Sequence, residues 1–294
     1  VAKNSLSIGA IFDITTDPYS PSQISATNFS SFGPTDDGRI KPDLVANGWN
    51  LWSAQAGSNS DYGWSSGTSM AAPNAAGTSV LVIEHFEKQL AYKPRAATSK
   101  GVLIHTATDG GNTGPDYRFG WGLINAVEAT DFISRVQQST DYLAERTYFG
   151  SEQTLQFISD GTNPLKATIV WSDVEGAAQP TNVVDSPTSV LVNDLDLWIT
   201  GPGGTFRPWT LNPNNPTAAA VRNQRNFRDN VEQVLIDAPA AGTYTIHIGD
   251  PGGSFIENYS LLVSGALPGP PPVDGVIELN QFASASTGGT IGSE

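Results

Sequence analysis

The chain has no cysteine, a single methionine, three histidines and only 15 lysines and arginines among 294 residues. Without cysteine there is neither a disulfide framework nor a thiol nucleophile, although the compartment stays open. The 29 acidic residues leave a formal net charge of −14, which argues against nucleic acid or an anionic membrane as partner, since both are gripped by clustered basic side chains. No apolar run is long enough for a signal peptide or a membrane span, and the first residue is Val1, not methionine. The expectation is a soluble chain whose natural N-terminus lies upstream, long enough for two domains of ordinary size.

Against these scarcities, one segment is dense in small residues: Gly67-Thr68-Ser69-Met70-Ala71-Ala72-Pro73-Asn74-Ala75-Ala76-Gly77. It places Ser69 after a Gly-Thr turn, at the start of an apolar run reading as a helix to Ile83. A serine there has free helix N–H groups beside it, so its own N–H can face the oxyanion formed when it attacks a carbonyl. Such a geometry suits acyl transfer. Pro73 is expected in the first helical turn, where a missing N–H removes little, with Thr68 and Met70 shaping and underpinning the turn.

This segment resembles the serine-nucleophile motif of subtilisin-like serine peptidases. A second block, Phe29-Ser30-Ser31-Phe32-Gly33-Pro34-Thr35-Asp36-Asp37-Gly38-Arg39-Ile40-Lys41-Pro42-Asp43, is similar to the stretch that the family places shortly before the serine. Leu44 to Gly48 resembles the short strand and turn that follow, with Asn47 where the family usually has proline. Phe119-Gly120-Trp121-Gly122-Leu123-Ile124-Asn125-Ala126-Val127-Glu128-Ala129 resembles the Gly-rich turn and final helix of the catalytic domain. The order of matches implies an α/β subtilisin-like fold, of which this chain holds the C-terminal half.

In that family the triad runs Asp, His, Ser along the chain. Here His85, His105 and His247 all follow Ser69. His85 and His105 read as packed or solvated helix residues, and His247, within an alternating run, as an exposed strand residue. Asn4 is rejected as the oxyanion asparagine because its stretch resembles the strand after that region. The resemblance therefore implies that His, Asp and the oxyanion Asn come from a segment preceding Val1, which makes a non-covalently retained N-terminal fragment an expected partner. In subtilisin itself, losing the Ser or the His lowers turnover about a millionfold, so this chain alone is expected to be silent.

Coarse periodicity organises the rest. Residues 5–12 and 44–48 read as strands, 94–106 as a helix. From about residue 140, short alternating runs at 154–158, 165–171, 190–200, 231–236, 242–248 and 258–263 argue for an all-β sandwich. Asp194 and Asp196 alternate with Leu195 and Leu197, as in a strand covering a core. The tracts Val170-Trp171-Ser172-Asp173, Asn193-Asp194-Leu195-Asp196 and Asp229-Asn230-Val231-Glu232 resemble the jelly-roll domain that follows the catalytic domain in certain secreted members. The expected division is residues 1–138, catalytic half; 139–266, jelly-roll; and 267–294, a Pro-rich linker and tail.

The resemblance implies an extracellular serine endopeptidase acting on peptides or proteins through an acyl-enzyme on Ser69. A catalytically silent binding protein using its β domain is the competing expectation. Structural calcium is also implied, with Asp173, Asp194, Asp196 and Asp229 as candidate oxygen donors, but no loop of regularly spaced carboxylates assigns a site, and acidic strand faces are usually just solvated.

Overall fold

A computed structural model describes residues 2–269, apart from residues 17, 179–183, 251 and 253. The expected tail beyond position 269 lies outside the described residues.

The N-terminal part is an α/β layer. β1 (Ile8–Ile11) and β2 (Leu44–Asn47) pair in parallel, with Ile8 opposite Leu44. Residues 121–124 run along the other side of β2: the Val45 N–H donates to the Gly122 carbonyl at 2.9 Å and the Ile124 N–H to the Val45 carbonyl at 3.0 Å. Leu44, Val45 and Ala46 are all fully buried, the continuous apolar run of a strand covered on both faces. A hairpin of β3 (Leu51–Ala54) and β4 (Tyr62–Ser65), unmarked in the sequence reading, separates β2 from α1 (Thr68–Leu90).

The first half of α1 meets the parallel pair mainly through Ala10, Ala46, Ala71 and Ala75, with Ile8 and Ile124 at the margin of the contact. Methyl groups on both sides let the two backbones approach closely, which explains the small-residue composition of the serine segment. Further along, Val82 and Phe86 join a larger core with α2 (Ala96–His105) and α3 (Ala126–Gln137). Asn125 caps α3, its side chain accepting from the Glu128 N–H at 3.0 Å.

The C-terminal part is a two-layer antiparallel sandwich. Its strands are β5 (Tyr142–Phe149), β6 (Gln153–Ser159), β7 (Leu165–Trp171), β8 (Asp196–Gly201), β9 (Gly204–Phe206), β10 (Val231–Ile236), β11 (Gly242–Gly249), β12 (Ile256–Ser264) and β13 (Leu267–Pro268). One sheet runs β10-β7-β12-β5 and the other β13-β6-β11-β8-β9. Between them lie Tyr148, Phe157, Trp171, Tyr244 and Tyr259 with aliphatic neighbours such as Leu197 and Ile246.

The two sheets differ in pattern because they differ in cover. Strand β6 alternates strictly, since its second face meets solvent, whereas all of β7 except Lys166 is buried. The cover over β7 is α2: Val102, Val170 and Leu262 share one core, and a Cβ on Gly101 would lie 2.9 Å from Leu262 Cδ1.

Three expectations need correction. The strand expected over 190–200 begins only at Asp196, because the N–H groups of Val192 and Asn193 are drawn off by the Asp173 carboxylate at 2.9 and 2.8 Å, and the Asn193 carbonyl by Trp171 Nε1. Leu267 and Pro268, expected in the linker, extend the second sheet along β6. Strand β5 went unread because Glu145 and Arg146 interrupt its pattern; Glu145 turns inward to accept from Thr98 Oγ1 and the Arg95 N–H.

Buried charge ties the first part together and joins it to the sandwich. Asp43 accepts from the Ser7 N–H at 2.7 Å and pairs with Lys41 at 2.5 Å and Lys100 at 2.9 Å. Lys3 pairs with Asp173 and donates to the Val174 and Val190 carbonyls at 2.7 and 2.6 Å, while the Ile40 N–H donates to Asp229 at 2.8 Å. Burial, reinforced by neighbouring Lys100, lowers the Lys41 pKa to about 8. His105 bridges the same junction, hydrogen-bonded to Thr168 Oγ1 at 2.8 Å and Ser264 Oγ at 3.1 Å, and burial holds its pKa well below the usual value.

Two outcomes follow for stability. Leu262→Ala removes a fully buried side chain between α2 and the sandwich, and is expected to lower the unfolding free energy by about 2–5 kcal/mol, read from urea midpoints. His105 is neutral in the fold while the unfolded chain takes up a proton near its ordinary pKa of 6.5. The stability tied to neutral His105 is therefore present above that pH and lost progressively below it. A His105→Gln protein should lack this part of the acid slope. Comparing the two isolates His105 from buried carboxyls such as Glu232, whose raised pKa acts in the opposite sense; parallel slopes would refute the assignment.

Candidate active site

Ser69 is the second residue of α1, and its side chain is exposed. Among the described residues neither its hydroxyl nor its N–H has a hydrogen-bond partner. The helix opens with the Gly67 carbonyl accepting from the N–H groups of Met70 at 3.0 Å and Ala71 at 3.3 Å, which leaves the N–H groups of Thr68 and Ser69 pointing off the helix end. An oxygen bearing developing negative charge there meets a free donor and the positive end of the helix dipole.

The turn that carries Ser69 is held from behind. The Gly67 N–H donates to the Gly48 carbonyl at 2.8 Å, and the Asn50 N–H donates to Ser66 Oγ at 2.8 Å. These two bonds stitch the β4–α1 turn to the β2–β3 turn. Gly48 leaves no room for a side chain: a Cβ would sit 2.6 Å from Ala10 Cβ and 2.8 Å from the Gly67 carbonyl oxygen. Sequence reasoning named neither Gly48 nor Ser66 as part of the site; the available signal was a glycine directly after a buried strand.

Pro73 requires a correction. It lies inside α1, beyond the first turn, where an ordinary residue would donate to the carbonyl four positions earlier, that of Ser69. Proline cannot, so the Ser69 carbonyl is released from the helical ladder. Asn74 is exposed, and Met70 is half-buried, its sulfur beside Gly67.

None of the three histidines is brought to Ser69. His85 lies about 24 Å further along α1 by helix rise, and its Nε2 is 2.9 Å from Ser134 Oγ on α3. His105 is enclosed between α2 and the sandwich. His247, expected to be exposed, is half-buried: its ring stacks on Trp198 at 4.9 Å, with Glu152 Oε1 2.7 Å from Nδ1 and Thr200 Oγ1 2.8 Å from Nε2. Asn4 is likewise committed elsewhere, donating to the Asp173 carbonyl at 2.8 Å and accepting from Asn230.

The acidic residues considered for calcium do not converge. Asp173 is taken by Lys3 and two backbone N–H groups, and Asp229 by Ile40 and Asn226, the latter at 3.0 Å. Asp194 and Asp196 lie on one side of their segment, as expected, but share Arg225, at 2.9 and 2.7 Å. Burial, together with Asp196, raises the Asp194 pKa to about 6. Among the described residues no group of three or more such ligands meets at one point, so these four do not fit a shared cation site.

Apart from the exposed Asp36, the charges of the 29–43 block are engaged in structural pairs. Asp37 holds Arg39 at 2.8 Å and accepts from Thr35 and from the Val190 N–H of the sandwich, while Lys41 and Asp43 pair two residues apart. In an extended segment these i, i+2 partners share one side. The segment from Asn47 to Ser69, by contrast, carries one charged residue, Asp61.

Comparison with known proteins agrees with the motifs. Residues 1–122 match the model of the subtilase family. The chain is 26% identical over 256 residues to the serine protease/ABC transporter B family protein tagA of Dictyostelium discoideum, covering 75% of this chain and 14% of that one. It is 41% identical over 85 residues to the C5a peptidase of Streptococcus pyogenes, covering 28% and 7%, and 33% identical over 131 residues to pyrolysin of Pyrococcus furiosus, covering 41% and 9%. It thus spans less than a sixth of the length of each. Through residues 1–122, with the serine segment and the block before it, this chain is similar to the subtilase family of subtilisin-like serine peptidases.

Proposed function

We propose that the protein containing this chain is an extracellular serine endopeptidase that cleaves peptide bonds through an acyl-enzyme on Ser69. The observation that carries this reading is the exposed, unpartnered Ser69 hydroxyl beside its own free N–H at the start of a helix whose position Gly48 sets. In the reaction Ser69 Oγ attacks the scissile carbonyl and passes its proton to a histidine, and the Ser69 N–H donates to the oxyanion. Collapse expels the amine, which takes the proton, and water then hydrolyses the ester.

The histidine, the aspartate that orients it and the oxyanion asparagine are assigned to a segment of the same protein outside this chain. Support comes from the engagement of His85, His105, His247 and Asn4 elsewhere. It comes also from α1, whose outward face presents Ala72, Ala76, Val80 and Leu81 to solvent. Such an apolar helix face suits a covering layer, here a retained N-terminal part of the protein. This chain alone is then catalytically silent.

Residues 139–266, continued by Leu267 and Pro268, are read as a jelly-roll domain bracing residues 1–138. The reading is supported by the strand order: numbered within the sandwich, β5 to β12 run 1-8-3-6 in one sheet and 2-7-4-5 in the other, the double Greek key of that architecture. Its interface with the catalytic half combines the apolar packing of α2 on β7 and β12 with buried ion pairs and hydrogen bonds, which favours bracing over free movement.

Two experiments test the proposal. In the intact protein a fluorophosphonate probe is expected to label Ser69, located by peptide mass spectrometry, and Ser69→Ala to abolish both labelling and peptide cleavage. Correctly folded protein that is never labelled would support a silent binding protein instead. Gly48→Ala should push the Gly67 carbonyl and the start of α1 outward, and is expected to slow labelling on the order of 10- to 100-fold with the fold retained by circular dichroism; unchanged labelling would refute its positioning role.

A further inference from the structure

The hairpin that leads into the nucleophile carries an exposed aromatic face that no role described so far uses. In its register Trp52 lies opposite Trp64, and Ala54 opposite Tyr62, so these four share one side of the two strands. Trp52 is 56% exposed, Trp64 61% and Tyr62 54%, and the two indoles touch edge to face at 5.1 Å. A cross-strand indole pair steadies a hairpin on its own, but that role does not require half of each ring and Tyr62 to face solvent.

We infer that the Trp52–Trp64–Tyr62 face is a docking strip for aromatic and apolar side chains of an extended polypeptide held at Ser69. The inference rests on the proteolytic reading for its substrate, and three observations select that occupant. The strip offers roughly 300–400 Å² of aromatic surface, well below the ~800 Å² per partner of a stable protein–protein contact, which fits a peptide segment and not a second copy of this chain. Neither strand carries a charge, and Asp61 alone interrupts the neutrality of residues 47–69 in a chain of net charge −14, so an acidic peptide is disfavoured and an apolar one is not.

The third observation is continuity. Trp64 precedes Ser69 by five residues, and the bonds from Asn50 to Ser66 and from Gly67 to Gly48 tie hairpin and nucleophile into one rigid unit. Five residues span at most about 18 Å, so a bound chain crosses from Ser69 to the strip within about five residues of the scissile bond. Among the described residues β3 and β4 pair only with each other, which leaves each an open edge on which an extended chain can make main-chain hydrogen bonds.

The test compares, in the intact protein, two Gly/Ser-rich fluorogenic peptides with the same cleaved bond, one carrying a Trp within five residues of it and one a Ser there. The aromatic peptide is expected to have a KM about tenfold lower. Trp52→Thr with Trp64→Thr keeps strand-forming residues and should bring the ratio near one, whereas Phe at both positions should retain most of it. Tyr62→Thr leaves the indole pair in place and should reduce the ratio about threefold. A ratio of one in the unmodified protein, or one that survives the Thr substitutions, overturns the strip.

The same peptides, labelled and titrated by anisotropy against Ser69→Ala protein, separate this inference from the reading beneath it. A tenfold preference in binding that the Thr substitutions abolish supports the strip whether or not Ser69 is labelled by fluorophosphonate. Absence of that preference overturns the strip even where Ser69 is labelled.

Discussion

The approach of one helix end to one glycine is the constraint on which the serine depends. Gly48 ends a buried parallel strand, and its carbonyl holds the N–H of Gly67, the residue from which α1 starts. The buried centre of the contact between α1 and the strands over its first two turns is made of alanine methyl groups, so the helix seats close to the backbone of β1 and β2. Close packing without voids makes the position of Ser69 a property of the sheet and not of a mobile loop. Pro73 adds to this by releasing the serine carbonyl from the ladder, so the first turn is ordered from outside the helix more than from within.

A second constraint acts at larger scale. The layer bearing Ser69 and the β-sandwich meet through α2 and through charges with almost no access to water. Buried ion pairs contribute little net stability, because desolvation offsets their attraction, but leaving one partner alone costs about 3–5 kcal/mol. Lys3 and Asp173 therefore act mainly as a registry device, since a shifted docking of the two parts strands both ions, while Lys41, Lys100 and Asp43 fix the first part against which they dock. Trp171 sits at the hinge of the two effects, its ring in the sandwich core and its backbone held by Asn230 at the junction.

Much of this was legible in the residues. The serine motif, α1, α2, α3 and most of the sandwich strands follow from periodicity and turn chemistry, because each is a local pattern repeated over several residues. What escaped was non-local. The start of the 190–200 segment is captured by Asp173, and β5 hides behind two charges, of which Glu145 finds its partners at and beside the start of α2. The β3–β4 hairpin has no apolar alternation to betray it, since one of its faces is aromatic and faces solvent. His247 looked like an exposed strand residue because no sequence pattern indicates that Trp198 from the neighbouring strand will lie flat against it.

The sequence by itself determined the chemistry on offer: a serine at a helix start, no thiol, three histidines all on the wrong side of it, and two kinds of periodicity in two parts of the chain. These are properties of residue type and spacing, which any fold must respect. Only the tertiary structure decided that Gly48 seats the helix start that bears Ser69, that Asp37, Arg39, Lys41 and Asp43 are spent on structural pairs, and that the four aspartates are engaged by other residues and do not meet at one point. Each of those depends on which distant backbone or charge arrives beside a residue, and burial, not identity, sets its energy.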